Sequence, residues 1–181
     1  MDEVVRSLRI KNEYDQIVKD ASKKEGISIN SFFNRLLEKY LMTYRFVKIF
    51  PLMIIPRDII KEFITEMPEP KIIESAKKMG AYVPKHSIFL EGKKSNPKTC
   101  LEFMEKVVGQ HSNWYQFNSQ TNNGKIKLLL RHDLGKNWSI FLDTYYKTMF
   151  KQLFDLTITN EVGDDSLIIK IPKNQKPEES K

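Results

Sequence analysis

Val4-Val5-Arg6-Ser7-Leu8-Arg9-Ile10-Lys11 leads into the acid-started run Asn12–Glu25. After Gly26 the chain continues Ile27-Ser28-Ile29-Asn30-Ser31-Phe32-Phe33-Asn34-Arg35-Leu36-Leu37-Glu38-Lys39-Tyr40-Leu41. The first eight residues alternate with period two, which places Leu8 and Ile10 on one side of a strand and Val5, Ser7 and Arg9 on the other. Arg6 is the misfit on the apolar side. Asn12 is the expected cap of a first helix, with Glu13 and Asp15 in the turn where the helix dipole favours acids. Tyr14, Ile17, Val18 and Ala21 form its narrow apolar stripe, and Gly26 supplies a left-handed stop. Ser28 caps a second helix, on which Phe32, Phe33, Leu36, Leu37, Tyr40 and Leu41 recur at helical spacing. A lone strand leaves backbone donors and acceptors unpaired, and this second apolar stripe is wider than one small helix covers. The unit therefore calls for a second copy.

Composition bounds the rest. A chain of 181 residues, 40% hydrophobic and 11% aromatic, has enough apolar material for a packed domain beside a small one. The formal charge of +7 suits a polyanionic partner, though charge alone selects none. Cys100 is the single cysteine, which excludes an intrachain disulfide and any cysteine cluster, so a reducing cytoplasm is the expected setting. Acids stand at the start where a signal peptide has bases, and the apolar run Phe46–Ile55, broken by Lys48 and Pro51, is far short of the ~20 residues of a membrane helix. No membrane partner is expected. Residues 173–181 read as a disordered, solvated tail.

Strand, helix, Gly-x-Ser-x-Asn-Ser-apolar-apolar and helix together resemble the ribbon-helix-helix family, the DNA-binding repressors of Arc, MetJ and CopG type, over roughly the first quarter of the chain. The resemblance implies an intertwined homodimer whose paired strands enter the major groove of double-stranded DNA. By position, the base readers are then Val5, Ser7 and Arg9. Arg9 can donate twice to a guanine, Ser7 can donate or accept, and Val5 offers an apolar surface to a thymine methyl. Phosphates would be held by Arg6, by Lys11 and by the start of the second helix at Ser28, Ile29 and Asn30. Two positions depart from the family pattern: Arg6 stands where an apolar residue is usual, and Lys11 where proline often occurs. Turning Arg6 outward by a one-residue register shift would turn Ser7 and Arg9 inward, the costlier choice.

Beyond Phe46 the pattern changes. Val47–Ile55 reads as a strand or connector, and Pro56 opens a helix over Ile59–Met67 on which Ile60, Phe63 and Ile64 share a face. A helix over Lys71–Met79 should stop at Gly80, Ile88-Phe89-Leu90 could be strand, and a helix spans Lys98–Gln110. Trp114–Phe117 and Lys125–Leu130 flank an Asn-rich turn with Asn123-Gly124 at its tip, which predicts a β-hairpin. Trp138–Phe154 is apolar on more than one face and must be a buried helix. Leu156–Thr159 and Leu167–Ile171, joined across Gly163-Asp164-Asp165, make a second hairpin. The expected fold class is thus α+β: a ribbon-helix-helix domain over 1–46, then an α+β domain over 47–172 with two β-hairpins and a buried helix.

That second domain offers little chemistry. His86, His111 and His132 lack metal-ligand spacing, and the chain carries neither a phosphate-binding glycine loop nor a nucleophile motif. No cofactor and no metal are expected. His132-Asp133 could form an acid–base pair, Gly135 would make a turn, Asn137 would cap the buried helix and Trp138 would fill the core. An effector pocket between hairpin and helix would be lined by Trp114, Tyr115, Trp138 and Tyr145, with Arg131 and His132 at its mouth. The reading is a homodimeric or tetrameric DNA-binding transcriptional regulator, not an enzyme, with a domain that senses a small-molecule effector or assembles dimers. The alternatives are an antitoxin, whose toxin-binding tail is usually short and disordered, and an enzyme in the second domain.

Overall fold

Asn12–Glu25 forms α1 and Ile29–Met42 forms α2 in the computed structural model, which describes residues 4–47, 53–90, 92 and 94–172. The expected tail over 173–181, and most of the connector over 47–55, lie outside the described residues. The chain divides into two units, Met1–Arg45 and Phe46–Lys181.

In the first unit, α1 starts behind Lys11, not Asn12: Lys11 has the extended backbone of a cap, and Asn12 is already helical. Gly26 ends the helix in the left-handed conformation, φ 66°, where the N–H groups of Gly26 and Ile27 reach back to the carbonyls of Lys23 and Ser22. Ser28 caps α2, its Oγ accepting from the Ser31 N–H at 3.0 Å. The expected strand over 4–11 is not formed. These residues carry no regular secondary structure and are all exposed, because a single strand in one chain has no ladder to join. Leu8 and Ile10, expected to face inward, are 70% and 42% exposed.

In the second unit, Arg57–Glu66 forms α3 and Glu69–Leu90 forms α4. Pro97–Glu102 forms α5, opened by an Asn96–Thr99 capping box, and continues as a π-helical segment, Phe103–His111. A β-hairpin follows, β1 Gln116–Asn122 and β2 Lys125–Arg131. Then come α6, Lys136–Phe154, and the strands β3, Thr159–Val162, and β4, Ser166–Ile171. The two hairpins merge into one antiparallel sheet of order β1-β2-β4-β3. Leu128, Leu130, Leu167, Ile169 and Ile171 line its covered face, and α6 packs against β3, β4 and α4. Trp138, Phe141, Leu142, Tyr145, Tyr146, Met149 and Phe150 of α6 are all buried.

Several expectations are corrected here. The helix expected over 71–79 does not stop at Gly80 but runs through Pro84 to Leu90, so Ile88–Leu90 is helix and not strand. Gly80 serves packing instead: a Cβ there would lie 2.4 Å from the Tyr145 carbonyl oxygen, so the missing side chain lets α4 approach the α6 backbone. Phe63 does not share the inward face of α3. It is 69% exposed, while Ile64 is buried. The hairpin starts later and runs further than expected, through Asn122, with Asn123 and Gly124 at φ 51° and 75° as the two-residue turn. The first strand of the second hairpin is Thr159–Val162, not Leu156–Thr159.

Candidate functional site

The surface of the first unit is set by what it fails to bury. Among its described residues only Val18 and Ser22 are buried. α2 buries none, and Leu36, Leu37, Tyr40 and Leu41 are each about half exposed, between 46% and 58%. α1 and α2 are tied by an ion pair, Arg35 to Glu25 at 2.8 Å, which at this exposure contributes little. Val5, Arg6, Ser7 and Arg9 are exposed in the segment before α1. Lys11 reaches Glu13 at 3.8 Å and lies over the Tyr14 ring. Ser28 is occupied as a cap and also lies 2.8 Å from the Ser31 hydroxyl. Ile29 and Asn30 open α2, where backbone N–H groups have no acceptor within the helix. The first unit carries nine Lys and Arg against seven Asp and Glu, so most of the chain's positive excess belongs to the second unit.

In the second unit, an open cleft of about 490 Å³ is lined by Arg57, Asn113, Tyr115, Gln116, Arg131, His132 and Asp133. Arg57, the first residue of α3, donates through Nε to Asp133 Oδ1 at 3.0 Å, and its other nitrogens reach Asp133 and the Asn113 carbonyl. The Arg57 guanidinium holds the Asp133 carboxyl below the usual range. Asp133 is therefore the partner of Arg57 and not of His132, which corrects the expected acid–base pair. Arg131 makes no ion pair among the described residues and stands exposed at the cleft.

His132 is held inside. The Leu134 N–H donates to its Nδ1 at 3.3 Å, which leaves the proton on Nε2, 2.9 Å from Ser139 Oγ. The Ser139 hydroxyl lies 3.2 Å from the Asp164 carbonyl oxygen and 3.3 Å from that of Ser166. Asp165 Oδ1 lies 3.8 Å from His132 Nδ1 and accepts from the Gly135 N–H at 2.9 Å. Serine, histidine and aspartate stand in the order of a nucleophilic triad, but Ser139 is fully buried and its proton points at backbone carbonyls. The set latches β2, the β3–β4 turn and α6 together. Burial pushes the His132 imidazole below its ordinary pKa, a larger effect than the opposing pull of Asp165.

The residues expected to line one pocket divide between two environments. Tyr115, Arg131 and His132 reach the cleft. Trp114, Trp138 and Tyr145 instead pack with one another and with Phe141: the ring centroids of Trp114 and Trp138 are 5.2 Å apart, and Trp138 stacks on Phe141 at 4.9 Å. Tyr115 is nearly buried, and its hydroxyl donates to the Met104 carbonyl at 2.9 Å and meets the Tyr146 hydroxyl. Asn137 does not cap α6, whose cap position is Gly135. Its Nδ2 reaches the carbonyls of Ile64, Thr65 and Met67 at 2.9, 3.2 and 3.3 Å, and so closes the end of α3. Arg57, Asn113, Gln116 and Asp133 were missed as cleft residues. Arg57 and Asp133 are 76 positions apart, and no spacing rule joins them.

Among the described residues no group of three or more His, Cys, Asp or Glu could hold a metal ion, and no helix is long and apolar enough to cross a membrane. No family model matches the chain, and no curated protein is significantly similar to it.

Proposed function

We propose that the chain is a homodimeric, sequence-specific DNA-binding transcriptional regulator without catalytic activity. The observation that carries the reading is how little the described residues of the first unit bury: two capped helices present an apolar stripe while a basic, alternating segment ahead of them has no ladder partner among the described residues. A second copy answers both needs. It would cover Leu36, Leu37, Tyr40 and Leu41 and would pair residues 4–11 across a two-fold axis, turning Val5, Ser7 and Arg9 to the base edges. Arg6, Lys11 and the N–H groups of Ile29 and Asn30 behind Ser28 would then meet phosphates. The second unit, with its own core, would sense a small molecule at the Arg57–Arg131 cleft or join dimers. Such a core is unlike the short disordered tail of an antitoxin.

The test is binding to an operator found by footprinting the DNA around the chain's own gene. Log K should fall linearly with log[salt], and Arg9→Ala should erase preference for the operator over random DNA, a loss of about 1–3 kcal/mol per guanine contact. Equal binding of the unaltered protein to all sequences would overturn the base-reading assignment.

A further inference from the structure

The sheet of the second unit ends on β1, and β1 is unusual for an edge. Its seven residues, Gln-Phe-Asn-Ser-Gln-Thr-Asn, carry no charge and no proline, and six of the seven are exposed. Natural edge strands are usually guarded by lysine, proline, a bulge or shortness. The opposite edge, β3, is guarded: it is four residues long and carries Glu161, paired to Lys170.

The hairpin geometry says which groups β1 offers. Asn122 and Lys125 close a two-residue turn, so they exchange hydrogen bonds with each other. Counting back by twos, Gln120, Asn118 and Gln116 likewise face β2. The N–H and C=O groups of Phe117, Ser119 and Thr121 then point away from the sheet, and none of them has a backbone partner outside the ladder among the described residues.

We propose that β1 pairs antiparallel with β1 of a second copy, about a two-fold axis at Ser119, joining two four-stranded sheets into one. For what such assembly achieves, this rests on the regulator reading above; the contact itself does not. The strand is self-complementary in that register. Phe117 meets the partner's Thr121 and Ser119 meets the partner's Ser119, which matches every outward N–H to a C=O. On the open face Asn118 meets the partner's Gln120 and Gln116 meets the partner's Asn122, side-chain amides that donate and accept alike. Like charges do not oppose one another at the junction. Lys125, Lys127 and Arg131 sit one strand back on β2, so the nearest rows in the two copies are three strand spacings apart, about 14 Å, beyond the ~8 Å screening length at physiological salt.

The experiment is sedimentation equilibrium of the full chain over a range of concentrations, with hydrogen exchange on the same samples. If the first unit also dimerises, the unaltered protein should pass from dimer to tetramer. The double variant Asn118→Lys/Gln120→Lys sets cations opposite each other across the axis, and Ser119→Pro removes the central outward N–H. Either should halve the mass at the high-concentration end with the far-ultraviolet spectrum unchanged. If the first unit does not dimerise, the unaltered protein should pass only from monomer to dimer, and the same variants should leave monomers. In both cases the amides of Phe117, Ser119 and Thr121 should exchange more slowly in the associated form. Folded variants that keep the full mass, or amides at those three positions that exchange equally fast at every concentration, would overturn the proposal.

Discussion

His132 shows how one side chain can join elements and set a pH limit. It accepts from Leu134, reaches Ser139 and sits beside Asp165, with Arg57 and Asp133 also near enough to influence it. Burial favours the neutral ring, so the folded pKa lies below the ordinary 6.5 of the unfolded chain. The sign follows: above 6.5 neither state takes up a proton, and as pH falls below 6.5 the unfolded state binds one first, so stability is lost. The urea midpoint should therefore fall on acidification between about pH 7 and 5, and His132→Gln should lose that part of the slope. Parallel lines for the two proteins would show that His132 does not set the limit. Its neighbours in sequence suggested a pairing with Asp133, whereas the fold delivered Asp165 from another hairpin.

The clearest case among elements is α4 against α6. Helix propensity alone makes Gly80→Ala favourable by about 1 kcal/mol, but the new Cβ would stand 2.4 Å from a backbone oxygen that cannot rotate away. Separating the helices should cost more, about 1–3 kcal/mol, so the variant should have a lower melting temperature than the parent by calorimetry. An unchanged or higher melting temperature would mean the two helices are not this close. Legibility differed from element to element for the same kind of reason. The ends of α1 at Glu25 and of the turn at Asn123-Gly124 were readable because a positive φ is needed locally and the residue types there tolerate it. The extent of α4 was not, because Gly80 and Pro84 are stop signals by themselves and packing on α6 overrides them. Asn137 likewise looks like a cap for its own helix and is one for the end of α3.

For the whole molecule, the contrast between the units decides what each can do alone. The second unit has a contiguous core from Ile64 to Ile171. Among the described residues of the first, only Val18 and Ser22 are buried. On the dimeric reading proposed above, a second copy supplies the buried surface that offsets the entropy of ordering this segment's backbone, about 1–2 kcal/mol per residue. Hydrogen exchange of the full chain should therefore show α2 amides protected increasingly with protein concentration, while α6 amides stay constant. Concentration-independent protection of α2 would count against the dimeric reading of the first unit.

What the sequence determined by itself was local: the Gly26 stop, the Ser28 cap, the Asn123-Gly124 turn, the buried character of Trp138–Phe154 and the mixture of helix and antiparallel sheet. These follow from φ preferences, capping and periodicity, which act over a few residues. Tertiary structure alone decided that the two hairpins share one sheet and leave β1 at its edge. It decided that Trp114, Trp138 and Tyr145 pack into a core, and that Arg57 crosses 76 positions to meet Asp133. Those outcomes depend on which surfaces meet when the chain collapses, and that is a property of all the elements together.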